Sequence, residues 1–191
     1  SNLDLLTDVH QATREAMIEC KPIEDHELSS IVSVMASSDG SGGTCEEDPA
    51  TWAFAVVATL RNGEERLMGY QGGFVHADHL QPLWMGAEKE DSTNAEVMGV
   101  TAALMWMVSW IQDIKIKYGA PVDTMTFCFD NTTAGGSICW LWKVKQCKQL
   151  QRIGVALKQI IKCYFDVKSA HVKGHEGNPW NELADSVCRS I

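Results

Sequence analysis

Residues 173–185 read Lys173-Gly174-His175-Glu176-Gly177-Asn178-Pro179-Trp180-Asn181-Glu182-Leu183-Ala184-Asp185. Asn178 and Pro179 form an N-cap and N1 pair that starts a helix, and a predicted strand at 164–172 leads into the segment. The helix carries Asn181 and Asp185 four residues apart, and therefore on one face. A histidine on a glycine-flanked loop can transfer protons near neutral pH. The segment therefore predicts a strand, a loop with a candidate proton shuttle at His175, and a last helix that carries an acid.

Upstream of this segment, three predicted strands are joined by short turns that contain glycine. We predict strands at 31–36, 52–58 and 66–75, a long helix at 94–118, a strand at 124–130, helices at 132–147 and 149–163, a strand at 164–172 and a helix from 179 to the end. The order β-β-β-α-β-α-α-β-α indicates an α/β fold. It predicts a mixed sheet in which three antiparallel strands are extended by parallel strands, with helices on its faces.

The first thirty residues differ in pattern from the rest of the chain. Apolar residues stand loosely at helical spacing over 1–20, and a polar connection covers 21–29. We expect a helical N-terminal extension at 1–30 and one domain at 31–191. Because the chain starts at Ser1 rather than Met, we also expect it to be excised from a longer polypeptide.

The net charge of −9 is unevenly distributed along the chain. Residues 1–50 carry 11 acids against two basic residues, whereas residues 51–191 carry 14 of each sign. The segment 143–173 holds eight basic residues and a single acid. Such a stripe can bind phosphates even in an acidic protein. We therefore expect Lys143, Lys145 and Lys148 to bind nucleic acid, with a solvated helix face as the alternative.

Composition also limits the cellular environment of the protein. No uninterrupted run of 18 apolar residues is present, so we expect no transmembrane helix and no membrane partner. No segment has the pattern of a signal peptide. The seven cysteines form no C-x-x-C pair, which argues against a zinc ribbon or a disulfide framework. This cysteine usage fits a reducing compartment, so we expect an intracellular protein of the cytoplasm or the nucleus.

Four acidic residues stand where the predicted sheet would gather them. Asp39 ends the first strand and Asp130 ends the fourth, and the carboxyl ends of parallel neighbours lie side by side. Glu96 falls in the first turn of the long helix, and Asp185 lies on the last helix. Each acid alone has a structural explanation, such as a turn, a helix cap or a surface position. The four together favour one shared site.

Clustered carboxylates repel one another unless a cation or a proton separates their charges. A like-charged pair at 4 Å costs about 4 kcal/mol at an effective dielectric constant of about 20. Ligands that are all oxygen favour Mg²⁺, for which Mn²⁺ can substitute. Two such ions can stabilise both the attacking and the leaving oxygen of a phosphoryl displacement. We therefore expect two Mg²⁺ ions at these four acids, and no small-molecule cofactor.

The chain from Ile31 to Ile191 resembles the ribonuclease H type I family, including the RNase H domains of reverse-transcribing elements. The resemblance rests on four motifs, namely Ser38-Asp39-Gly40-Ser41, Asn94-Ala95-Glu96, Phe129-Asp130-Asn131 and the segment 174–185, which follows G-H-x-G-x-x-x-N-E-x-A-D. It implies a five-stranded mixed sheet that is flanked by helices. It also implies two-metal hydrolysis of the RNA strand of an RNA–DNA hybrid, which leaves 5′-phosphate and 3′-hydroxyl ends.

The resemblance also implies a role for each acid. Asp39 would bridge both metals and Asp130 would serve the metal on the nucleophile side. Glu96 and Asp185 would serve the metal on the leaving-group side. His175 would assist proton transfer or product release. Besides the lysines, we expect the hybrid to contact Ser41, Thr93, Asn94, Asn131 and Asn181.

The parent protein and the activity each have alternatives. A retroelement polyprotein, with reverse transcriptase or other domains in the same polypeptide, is the expected parent, and a short cellular RNase H is the runner-up. The function could also be that of another metal-dependent nuclease or transposase of the same fold, a catalytically weak connector domain, or a cation-binding regulatory module. The G-H-x-G segment argues against the first and the third, and the persistence of all four carboxylates argues against the second.

Overall fold

Five strands form one mixed sheet in the order β3-β2-β1-β4-β5, in a computed structural model that describes residues 11–174 and 176–191. The strands are β1 (Ile31–Ser41), β2 (Thr51–Leu60), β3 (Glu65–Phe74), β4 (Thr124–Phe129) and β5 (Asp166–His171). β1, β2 and β3 are antiparallel neighbours, whereas β4 pairs in parallel with both β1 and β5. The predicted mixed sheet is therefore confirmed.

Helices cover both faces of this sheet. They are α1 (Gln11–Glu19), α2 (Ser92–Lys117), α3 (Thr132–Cys139), α4 (Lys148–Lys162) and α5 (Pro179–Arg189), and a 3₁₀ helix (Asp25–Ser30) precedes β1. Alternate residues of β2 contribute to two separate cores. Phe54 and Val56 pack with α2 on one face, and Ala55 and Val57 pack with α5 on the other. β2 is almost continuously buried because helices cover it on both sides.

The long helix α2 is the central element of the larger core. Leu104, Met107, Ile111 and Ile114 are at most 2% exposed and face the sheet, α3 and α4. Among the described residues, α2 is the one helix long and apolar enough to cross a membrane, and 65% of that apolar window is buried inside the protein. Most apolar residues of α2 thus serve the core.

One sequence prediction for a helix end was wrong. The helix predicted over 132–147 ends at Cys139, because the chain folds back and the backbone N–H groups of Trp140 and Trp142 both donate to the carbonyl of Gly136. Residues 140–147 form a largely exposed loop instead. At the start of α2, Asp91 caps the helix by accepting the N–H of Asn94 at 2.8 Å.

The described part of the N-terminal segment packs against the sheet. Met17 and Cys20 are buried in the core that α5 shares with β2. The N–H of Leu67 donates to the carbonyl of Lys21, and the carbonyl of Leu67 accepts the N–H of Ile23, both at 2.9 Å. This stretch therefore lies along β3, an edge strand. Of the helix predicted over 1–20, residues 1–10 lie outside the described residues, and the rest forms α1.

Candidate metal and nucleic-acid site

The carboxyl ends of β1 and β4 bring two of the predicted acids together. Ser38 pairs with Phe129 at the last register position of these parallel strands. Asp39 is the next residue of β1, and Asp130 is the first residue after β4. Asp39 is 6% exposed and Asp130 is half-buried. The topology of the sheet thus places both carboxyl groups at one edge, as the sequence predicted.

Glu96 joins them because α2 approaches the end of β1 backbone to backbone. A Cβ atom at Gly40 would lie 2.3 Å from the backbone of both Ala95 and Glu96. A Cβ atom at Gly99 would lie 2.6 Å from the carbonyl oxygen of Asp39. Only glycine leaves room for such contacts. As a result, Asp39, Glu96 and Asp130 each offer a carboxylate oxygen, and these atoms all lie within 4.8 Å of one another.

Asp185 approaches the same cluster from the opposite face of the sheet. α5 packs on β1 and β2, and the thiol of Cys188 lies 3.6 Å from the carbonyl oxygen of Asp39. Asp185 stands one turn earlier on α5. Its charge contributes to raising the pKa of both Asp39 and Glu96. Asp130 and Asp185 therefore both act electrostatically on Asp39 and Glu96.

The cluster disfavours full ionisation. Burial raises the pKa of Asp39 to about 9, the other three carboxylates add to this effect, and a hydrogen bond from Gly40 opposes it. Burial and the neighbouring Asp130 raise the pKa of Glu96 to about 8. Each charged form is costly because it is desolvated beside like charges. A divalent cation between these oxygens would remove that cost, so the donor set fits a hard metal ion.

A cavity of about 460 Å³ opens beside Glu96 and gathers several of the predicted nucleic-acid contacts. Thr93, Asn131, Lys143 and Lys145 all line it. The exposed loop at 140–147, where the sequence predicted the end of a helix, thus places two lysines in the same cavity as Glu96. A cationic, polar wall beside a metal-binding edge is suited to a phosphate backbone.

Other predicted contacts occupy different positions. Asn94 is 1% exposed, and its side chain donates to Asp91 and accepts the N–H of Glu88. It therefore connects the segment that precedes α2 to the first turn of that helix. Asn181 is 2% exposed, and its buried amide nitrogen has no hydrogen-bond partner. Lys148 begins α4 at an exposed position and does not line the cavity. The structure therefore gives Asn94 a structural role, and its contact with nucleic acid stays a prediction.

One predicted residue lies at the margin of the site, and another lies outside the described residues. Ser41 is half-buried at the end of β1, two residues after Asp39. His175 lies outside the described residues. Its neighbour Gly174 lies against the cluster, because a Cβ atom there would be 2.9 Å from Oδ2 of Asp130.

Sequence reasoning missed two contacts of the acids. Arg189 forms an ion pair with Asp185, with Nη2 3.0 Å from Oδ2. The i,i+4 spacing of these residues on a predicted helix is a signal that could have found the pair. Nε2 of His171 lies 3.0 Å from the carbonyl oxygen of Asp130 and fixes the end of β4. That contact joins two strands, so no local pattern indicates it.

Neither a known protein-family model nor a curated protein matches the sequence. Solved structures do resemble the fold. RNase H1 from the halophilic archaeon Halobacterium salinarum is 16% identical, with 83% of this chain and 99% of that chain covered and a TM-score of 0.51. LC11-RNase H1, isolated from compost by a metagenomic approach, is 13% identical, with 82% of this chain and 96% of that chain covered and a TM-score of 0.53. The protease–reverse transcriptase of prototype foamy virus is 12% identical, with 88% and 21% covered and a TM-score of 0.51.

Proposed function

We propose that this protein is a metal-dependent ribonuclease that hydrolyses the RNA strand of RNA–DNA hybrids and leaves 5′-phosphate and 3′-hydroxyl ends. The observation that carries the proposal is the set of three carboxylate oxygens within 4.8 Å of one another, beside a cavity lined by two lysines. The RNase H1 fold of the structural neighbours supports it.

The chemistry of the donors supports a divalent cation at this edge. Asp39, Glu96, Asp130 and Asp185 would hold two Mg²⁺ ions, or Mn²⁺ in their place, because hard cations prefer carboxylate oxygen. Such ions supply charge stabilisation at phosphoryl oxygens and lower the pKa of water. The ions would also offset the burial and the like-charge repulsion that raise the pKa of Asp39 and Glu96.

The protein's own groups would orient the reaction. The N–H of Gly40 donates to Oδ1 of Asp39 at 2.9 Å and so fixes that carboxylate. His171 fixes the backbone at Asp130. We propose that His175, which stands between β5 and α5 in the sequence, exchanges a proton with the reacting phosphate or its leaving group, as a general acid or base does.

We propose that the cavity beside Glu96 binds the hybrid through its phosphates. Thr93 and Asn131 offer polar groups, and Lys143 and Lys145 offer charge. Contacts to phosphate carry little sequence information, so cleavage would occur at many sites. The 2′-hydroxyl next to the scissile phosphate would distinguish RNA from DNA.

The catalytic part would be residues 31–191, preceded by a helical extension at 1–30. We propose that it acts alongside reverse transcriptase in one intracellular polypeptide, in the cytoplasm or the nucleus. The foamy virus neighbour, in which the matched part covers 21% of that chain, supports this context. All seven cysteines are free, which is typical of a reducing compartment.

The test compares end-labelled RNA–DNA hybrid, single-stranded RNA, double-stranded RNA and double-stranded DNA in Mg²⁺ at one salt concentration. We expect many cuts in the RNA of the hybrid and little cleavage of the other three. Asp39→Asn, purified in parallel, controls for contaminating nucleases. Equal rates on single-stranded RNA and hybrid would contradict the preference for hybrids and indicate a general nuclease. Full activity in excess chelator would contradict the proposed metal dependence.

A second candidate is a catalytically weak connector domain of the same fold. The ion pair between Asp185 and Arg189 favours it, because a protein cation already contacts one of the four acids. The same assay separates the two functions. A connector would cleave the hybrid no faster than Asp39→Asn does.

A further inference from the structure

Arg189 follows Asp185 by one turn of α5, at the border of the acidic cluster. Its Nη2 atom lies 3.0 Å from Oδ2 of Asp185, and the side chains are 38% and 17% exposed. Asp185 is therefore largely shielded from solvent. A guanidinium stays charged at any physiological pH and forms directional bonds with carboxylates. The metal-free protein thus already holds a permanent cation at one of its four proposed ligands.

This cation and a metal ion compete for the same group. Oδ2 of Asp185 is one of the two oxygens that this side chain can offer, and Arg189 already contacts it. The compact cluster of Asp39, Glu96 and Asp130 lies across the sheet end from α5. A second metal ion on the Asp185 side would have to share or displace the guanidinium and would also meet its positive charge.

We propose that Arg189 is a positioning residue that holds the Asp185 carboxylate and weakens metal binding on that side of the site. The inference rests on the proposed metal site. It predicts that two divalent ions bind with unequal affinity in the absence of nucleic acid, the weaker one on the Asp185 side. The site would then hold its full complement of metal chiefly when the phosphates of a substrate add further ligands.

A purely structural role is the competing explanation of the ion pair. Opposite charges at i,i+4 support a helix, and a basic residue in its last turn interacts favourably with the helix dipole. Loss of such a pair would lower the melting temperature and leave metal affinity unchanged. Metal affinity therefore separates the two explanations without any measurement of activity.

The experiment is a Mn²⁺ titration of the whole chain without nucleic acid, in which electron paramagnetic resonance reports the free ion. The variants are Arg189→Gln, Arg189→Lys and the control Arg152→Gln, which makes the same charge change on the exposed surface of α4. We expect Arg189→Gln to tighten the weaker site about tenfold. Arg152→Gln should leave both affinities within about twofold of those of the unaltered protein.

Three outcomes decide the question. Unchanged or weaker Mn²⁺ binding in folded Arg189→Gln would overturn the inference and leave the two-metal site intact. If that variant does not fold, Arg189→Lys applies the same criterion, with an expected tightening of about threefold because an ammonium lacks the guanidinium fork. Absence of Mn²⁺ binding in both the unaltered protein and Asp39→Asn would overturn the proposed metal site itself.

Discussion

The acidic and the basic sides of the candidate site are built in different ways. The acids stand at strand ends and on helices that pack closely on the sheet. The backbones of β1 and α2 are in contact, since a Cβ atom at Gly40 would lie 2.3 Å from α2. Lys143 and Lys145 stand on the exposed loop at 140–147, in which Leu141 and Cys147 have φ angles of 57°. The difference suggests a division of labour. Metal ligation needs fixed oxygen positions, whereas attraction of a phosphate backbone tolerates adaptable side chains.

The strongest test of the acidic side is Asp39→Asn. We expect cleavage of the hybrid to fall about 10³-fold or more, because the loss of a shared metal ligand removes several kcal/mol of transition-state stabilisation. Metal-free stability should rise, since the variant removes a buried charge that its neighbours repel. Single-turnover cleavage and thermal unfolding measure the two effects. Glu47→Gln, at an exposed position in the loop after β1, is the matched control and should change neither.

The electrostatics of the acidic side predict a pH dependence of stability. Free carboxyl groups titrate near pH 4, whereas the pKa values in the folded protein are about 9 for Asp39 and about 8 for Glu96. Between these values the folded state holds more protons than the unfolded state, so the free energy of unfolding decreases as pH rises.

In chelator, we expect a loss of about 2–4 kcal/mol between pH 5 and pH 8.5. The full pKa shifts, at 1.36 kcal/mol for each unit, would give a larger loss. We expect the smaller value because the side chains separate as they ionise. Urea unfolding at several pH values measures the slope. Mg²⁺ and Asp39→Asn should each flatten it, and a slope of zero in the metal-free protein would contradict the prediction.

The backbone contact between β1 and α2 can be broken at Gly40. We expect Gly40→Ala to push Glu96 away from Asp39, to destabilise the protein by about 1–3 kcal/mol and to slow cleavage about 10- to 100-fold. Gly154→Ala is the control, because its Cβ atom would meet Cδ1 of Ile138 at 2.6 Å, between α3 and α4. That variant should lose stability and keep its kcat. If both variants keep their kcat, the close approach does not position Glu96.

The smallest expected effect concerns the basic side. We expect the double variant Lys143→Gln with Lys145→Gln to raise KM about tenfold and to change kcat little. The slope of log affinity against log salt concentration should fall by the amount that corresponds to up to about two phosphate contacts. Arg152→Gln with Lys162→Gln removes the same charge from α4 and should have little effect. Lys148→Gln alone should resemble this control pair, since Lys148 does not line the cavity. Equal KM values for all three variants would mean that the loop does not bind the substrate.

The same contrast explains which features could be predicted from sequence. The order of strands and helices along the chain, the acids at strand ends and the Asn178 cap follow from local patterns, and the structure agrees with them. The contacts of Gly40 and Gly99 with distant backbone could not be predicted, because they join segments far apart in the chain. The loop at 140–147 carries apolar and basic residues that also suit a helix. A tertiary contact, the return of Trp142 to the carbonyl of Gly136, decided against the helix.

The stretch Lys21–Ile23 along β3 has a consequence for aggregation. An unprotected edge strand offers free N–H and C=O groups to the edge of another molecule. Here Lys21 and Ile23 form hydrogen bonds with both backbone groups of Leu67, so these groups of the β3 edge are not free. Met17 and Cys20 cover apolar surface of α5. A chain shortened to begin at Ile31 would present both the open edge and the uncovered apolar helix. It would therefore self-associate through β3 at concentrations at which the longer chain stays dispersed.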